Sequence, residues 1–327
     1  MKLISKIDNC TDCFLLGSNL VFESKGIVYI NNREFGNCSI YDISIYNSIL
    51  YFYKEGELFE IVNNSELIRK FHFENVDNVR IVSKETLEVY KRISRKELEY
   101  IFYDFNYKKL WENIGDESVD IVNEDYVKLR GRLEVDINSF TIRTINDGLP
   151  IWKYSLPEGF NIYLKLNSIG NILFFTAYDN NNRNQLLTCL NIETGIVVWQ
   201  NMFEVTSEHN FIQATAYNEK DQSYYGIYSS YQVFNPQTGE LVLEKEIPEI
   251  AEYKLEPYVN AIYDDKLWFI SGRGLNTKFG YLNINTQQIE LLQDFPQEED
   301  EFFDTPVYHK GKLYLRGKHF NNLYVFE

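Results

Sequence analysis

One short strand pattern recurs along the whole chain. It appears as NLVFES at Asn19, ILYFYK at Ile49, TLEVYK at Thr86, YVKLRG at Tyr126, ILFFTA at Ile172, SYYGIY at Ser223, KLWFIS at Lys266 and KLYLRG at Lys312. Successive copies start roughly 30 to 50 residues apart, the period of a propeller blade. Each copy is flanked by other short apolar runs and by turns rich in Gly and Asn, with no long helical periodicity between them. Such a pattern is that of antiparallel hairpins. The last unit shows the layout most plainly: Pro306–Tyr308, Lys312–Leu315 and Leu323–Phe326 are separated by Lys-Gly and Asn-Asn turns. The expected fold is therefore all-β, a single closed β-propeller of four-stranded antiparallel blades spanning residues 1–327. Eight units are counted, and seven would result if one of the closely spaced early units is incomplete.

The third and fourth strands carry a sharper signature. CLNIETGIVVWQ places Thr194-Gly195 four residues before Trp199, and INDGLPIWKY repeats that spacing with Gly148 and Trp152. VFNPQTGELVLE keeps Thr238-Gly239 but has Leu243 in place of Trp; LNINTQQIELL keeps Thr286 without the Gly; YDFNYKKLWEN keeps Trp111 with Tyr107 at the Gly position. Glycine accepts positive φ in a tight turn at little cost. A Trp on the outer strand can cover the seam to a neighbouring blade, where its removal would cost about 3–5 kcal/mol. These residues resemble the tryptophan-docking motif of pyrroloquinoline-quinone-type propeller repeats. The resemblance implies a ring of blades stapled by Trp and nothing about chemistry. Quinone-dependent members of that family commonly carry an adjacent cysteine pair beside the cofactor; here Cys10, Cys13, Cys38 and Cys189 include no adjacent pair. No cofactor is expected.

The last unit supplies three strands and ends at Glu327, so MKLISKI at the amino terminus is expected to provide its missing outer strand and close the ring. The charged segment KRISRKELEYIF (residues 91–102) could form a helical turn, and reads in preference as a loop entering a strand.

Known chemical motifs are missing from the sequence: it has no P-loop, G-x-G-x-x-G, G-x-S-x-G or H-E-x-x-H. Cys10-x-x-Cys13 has no second pair with which to build a zinc site, and the four histidines (His72, His209, His309, His319) are scattered. No metal site is expected. Carboxylate pairs such as Asp264-Asp265 read as solvated turns. No apolar run reaches the roughly 18–20 residues that span a bilayer, and the amino terminus has no secretory-type apolar core; a cytoplasmic location is expected.

Net charge is −16, which disfavours nucleic acid and anionic membranes as partners and suits a protein with a basic surface. The acids concentrate in the connectors that lead from one unit's outer strand to the next unit's inner strand. Glu74, Asp77, Asp116, Glu117, Glu158, Glu204 and Glu208 lie there, followed by Glu249, Glu252 and Glu256, then Asp294, Glu298, Glu299, Asp300, Glu301 and Asp304; Lys254 is the one basic residue among them. Loops are where propellers usually bind, and Phe302 and Phe303 within the last run read either as interface anchors or, in preference, as the start of an inner strand. The expectation is a monomeric, non-catalytic propeller binding a basic protein through an acidic loop face, in one form a bacterial immunity protein that neutralises a basic toxin. Two rivals are a carbohydrate-active hydrolase or lyase using the central channel, with carboxylates, Arg and aromatics gathered at one mouth, and a scaffold subunit of a larger assembly.

Overall fold

The computed structural model describes all residues except 64–65, 96, 132–137, 163–166, 180, 182–183, 205–213, 229, 251–254, 256–258, 272–276 and 297–300. Its strands form eight antiparallel sheets, the blades of a β-propeller. All eight recurring segments are the second strand of their blade. The chain sorts into two compact units, one of residues 1–40 with 206–327 and one of residues 41–205.

In the 41–205 unit, blade 2 runs Ile43–Tyr46, Ile49–Lys54, Glu57–Val62 and Glu66–His72; blade 3 runs Asn78–Ile81, Thr86–Arg92, Leu98–Asp104 and Lys109–Gly115. Blade 4 runs Glu117–Ile121, Tyr126–Gly131, Ser139–Thr144 and Pro150–Ser155. Blade 5 has its inner strand in two pieces, Phe160–Ile162 and Asn167–Ile169, both paired to Ile172–Asp179, and continues with Asn184–Asn191 and Val197–Glu204. The charged segment after Thr86–Arg92 is a loop that leads into Leu98–Asp104, as expected.

In the other unit, blade 1 runs Cys10–Leu16, Asn19–Ser24, Ile27–Ile30 and Arg33–Asn37; blade 6 runs Ala216–Asn218, Ser223–Ile227, Tyr231–Asn235 and Glu240–Lys245. Blade 7 runs Ala261–Tyr263, Lys266–Ile270, Lys278–Asn283 and Gln288–Asp294. Blade 8 takes Val307–His309, Lys312–Gly317 and Asn322–Phe326 from the carboxy-terminal end and Leu3–Ile7 from the amino-terminal end, in antiparallel register with Leu3 opposite Phe326 and Ile7 opposite Leu323. The amino-terminal strand thus completes the last blade. Beside it, Cys10, Cys13, Leu20 and Phe22 of blade 1 pack on Val307, Tyr314, Leu323 and Val325 of blade 8.

The short early spacing comes from tight turns, not from a missing strand. Lys25-Gly26 and Asn31-Asn32 in blade 1, and Asn47-Ser48 and Glu55-Gly56 in blade 2, take positive φ at both central positions. This is the two-residue hairpin geometry whose twist matches the flanking strands. Asp264-Asp265 adopts the same turn, and Asp265 is tied to Lys220 at 2.6 Å.

The third-to-fourth strand turns share a different construction. Asn191 accepts the N–H of Thr194 on its side chain and that of Gly195 on its carbonyl. Asn235 and Asn283 hold their turns in the same way. The residue four before the tryptophan position, whether Tyr107, Gly148, Gly195, Gly239 or Gln287, has positive φ in every case. Asn side chains of this kind mimic a backbone turn, which is why Asn is so frequent in the sequence at these points.

Candidate functional site

Trp111 and Trp152 each join consecutive blades. Trp111 of blade 3 lies on Gly148 in the turn of blade 4, and its indole N–H donates to the Ile145 carbonyl at 2.5 Å. Trp152 of blade 4 lies on Gly195 of blade 5 and donates to the Ile192 carbonyl at 2.7 Å. Trp199, in turn, meets Phe174 of its own blade. Where the preceding blade offers no Trp, the turn has no Gly: Leu243 precedes Gln287, and Phe71 precedes Tyr107, whose ring it meets edge-on at 6.0 Å. Trp111, Gly148, Trp152 and Gly195 are thus structural, and Thr194, Thr238 and Gly239 belong to the turns.

The acidic residues divide into exposed and engaged groups. In the 41–205 unit, Glu74, Asp77, Asp116 and Glu158 are exposed in the outer-to-inner connectors. The same side of blade 3 also carries the Ser94-Arg95 loop, and Asp77 accepts the Arg92 N–H at 2.6 Å. In the other unit, Glu249 is exposed in a single turn, Pro248–Ile250, and exposed Asp294 pairs with Lys278. Glu252, Glu256, Glu298, Glu299 and Asp300 lie outside the described residues.

Glu301 and Asp304 face inward. Glu301 is only 1% exposed, and its carboxylate accepts the backbone N–H groups of Phe302, His319 and Phe320 at 2.9, 2.7 and 3.3 Å. A side chain at Gly317 would collide with it. Asp304 pairs with Arg316 and with Lys318, and Arg316 also donates to the Cys10 carbonyl at 3.1 Å. Phe302 is half-buried, and Phe303 is in the core against Phe295 at 4.7 Å between ring centres. These residues dock the 301–304 segment onto the end of Lys312–Gly317 and leave Glu301 no exposed charge for a partner.

The cysteines are free thiols. Burial pushes Cys10 up to about 12 and Cys13 well above the usual thiol range, and burial likewise raises Cys189 to about 11. Thiolate chemistry at neutral pH is closed to all three. Among the described residues no cluster of His, Cys, Asp and Glu is arranged to hold a metal ion. Among them, too, no helix is long and apolar enough to cross a membrane.

One cluster of buried charges lies outside every motif of the sequence. The third residue of the recurring strand is Val21, Tyr51, Phe174, Tyr225, Trp268 and Tyr314 in six blades, but Glu88 in blade 3 and Lys128 in blade 4. Both charges are buried, at 3% and 6% exposure. Each pairs across to the inner strand: Arg80 donates to Glu88 Oε2 from two nitrogens at 2.8 and 2.7 Å, and Lys128 meets Asp120 at 2.6 Å. Burial is the larger influence on Glu88 and raises its carboxyl above the ordinary 4.5 despite Arg80. Between blades 3 and 4, Asn78, Arg80, Glu88, Tyr90, Tyr100 and Asp120 line a cavity of about 290 Å³. A charge in a column of otherwise apolar residues is visible in the sequence once the eight copies are aligned.

No family model and no curated protein sequence matches the chain. Solved structures do resemble it. BamB from Moraxella catarrhalis superposes with a TM-score of 0.55 at 14% identity, covering 99% of this chain and 98% of that one. Sqt1 from Saccharomyces cerevisiae gives 0.55 at 12% identity with the same coverage. Kluyveromyces lactis Hsv2 gives 0.50 at 12% identity, over 89% of this chain and 99% of that one. At such identities the likeness is one of fold. This chain is a β-propeller whose likeness to quinone-type repeats lies in its blade architecture.

Proposed function

We propose that this propeller is a non-catalytic binding module that captures a basic protein through its acidic connectors, in a cytoplasmic setting. The observation behind this reading is the row of exposed carboxylates on successive connectors of the 41–205 unit, Glu74, Asp116 and Glu158, with no Lys or Arg in the segments 73–78, 113–118 and 156–160. Like charges repeated on neighbouring loops add their fields, which speeds and orients encounter with a cationic surface. The specific form proposed is an immunity protein that masks a basic toxin such as a nuclease. The test compares capture from host lysate by the wild-type protein and by a triple Glu74→Lys, Asp116→Lys, Glu158→Lys variant. A basic protein retained by the wild type, released by salt and lost from the variant supports the reading. Equal retention by both proteins overturns it.

A further inference from the structure

The cavity between blades 3 and 4 has a chemistry of its own, distinct from that of the acidic connectors. Two features distinguish it from a packing defect. First, Glu88 in its wall occupies a repeat position that is aromatic or aliphatic in six other blades; an ordinary seam would be filled there by an apolar side chain. Second, its charges are already balanced. Glu88 is held by Arg80 and Asp120 by Lys128, so a charged ligand would arrive without a counter-charge of its own. Burying an unpaired charge is costly, and this disfavours ions and amines in the seam.

What remains open to a ligand is neutral hydrogen-bonding capacity and ring surface. Both Arg80 contacts fall on Glu88 Oε2, so Oε1 is not taken up by Arg80. Asp120 is 57% exposed at its side chain and presents carboxylate oxygen to the cavity rim. Asn78 adds a group that both donates and accepts. Tyr90 and Tyr100 stand with ring centres 5.2 Å apart at 47°, giving two tilted aromatic walls. Fixed planar acceptors beside aromatic faces match a molecule that carries hydroxyls on its rim and C–H groups on its faces. The volume is at the lower end of the range for small-molecule pockets, which fits one ring and not a chain.

We propose that this cavity binds a small neutral polyhydroxylated ligand of monosaccharide size. Tyr90 and Tyr100, whose rings touch one another, would together offer an aromatic surface to one face of it, and Glu88, Asn78 and Asp120 would accept or share its hydroxyl protons. Saturation-transfer NMR on the full chain tests this with D-glucose, D-galactose and N-acetyl-D-glucosamine as probes, and with L-lysine and D-glucuronate as charged counterparts. At least one neutral sugar should show saturation, and the charged probes should not. Tyr90→Ala should weaken that sugar's binding about tenfold. Thermal melting of the same variant serves as a folding control, and Asn78→Ala serves as a second variant should Tyr90→Ala fail to fold. Absence of saturation for all three sugars, a charged probe in their place, or undiminished binding by a folded variant would each overturn the assignment. None of these outcomes bears on the lysate capture, so the two proposals stand or fall separately.

Discussion

Trp111 rests directly on Gly148: a β-carbon placed on that glycine would fall inside the indole, whose N–H is bonded to the Ile145 carbonyl three residues earlier. The contact explains why a glycine is found there, and positive φ alone does not. Tyr107 and Gln287 take the same left-handed conformation at φ of 63° and 55° with full side chains, in blades whose predecessor presents no Trp.

Gly148→Ala should therefore destabilise the protein by about 3–5 kcal/mol, combining left-handed strain with overpacking. Gly311 provides the comparison, with φ of +81° and nothing within 4 Å of an added β-carbon. Gly311→Ala should cost about 1–2 kcal/mol, from strain alone. In a Trp111→Leu background the extra cost at position 148 should disappear, which a double-mutant cycle in guanidinium chloride can resolve. Equal costs at 148 and 311 would remove the indole from the explanation.

The strands were legible because their signal is local: short apolar runs punctuated by Gly and Asn need no partner to be recognised. Even the closure by Leu3–Ile7 could be anticipated, since a unit one strand short requires a donor. The Trp–Gly pairing was harder to read. The sequence places Gly148 beside Trp152, yet each indole docks one blade further on, so the pairing becomes visible only when Trp111 is set against Gly148 and Trp152 against Gly195. Glu301 was illegible for another reason. In the run from Asp294 to Asp304 it looks like any solvated acid, and only the fold brings the His319 and Phe320 N–H groups to its carboxylate. Composition records how many charges a chain carries, while backbone donors decide which of them are buried.

Removing residues 1–7 tests the closing strand. The deletion would strip the outer strand from blade 8, free the Lys2–Glu327 backbone pair at 2.8 and 3.0 Å, and break the Gln293 contact to the Met1 carbonyl at 2.6 Å. It would also leave Asn322–Phe326 as an open edge, which invites association. The expected outcome is a melting temperature lower by about 10 °C, with larger species appearing in size-exclusion chromatography. A melting curve that coincides with the full chain's would show that this strand does not hold the ring.

The pH dependence of stability should carry the mark of Glu88. Burial outweighs Arg80 and holds its carboxyl above the ordinary 4.5, so the folded state favours the protonated form more than the unfolded chain does. A raised pKa of this kind contributes stability that is complete below about 4.5 and is lost as pH rises through the folded-state value. Glu88→Gln keeps the shape and removes the titration. Relative to wild type, the variant's melting temperature should therefore improve as pH is raised from 4.5 towards neutrality. At low pH, where both side chains are neutral, the two proteins should differ least. Should the variant instead lose ground as pH rises, the attraction of Arg80 would exceed the burial cost, and Glu88 would be held in the seam as a net stabilising ion pair.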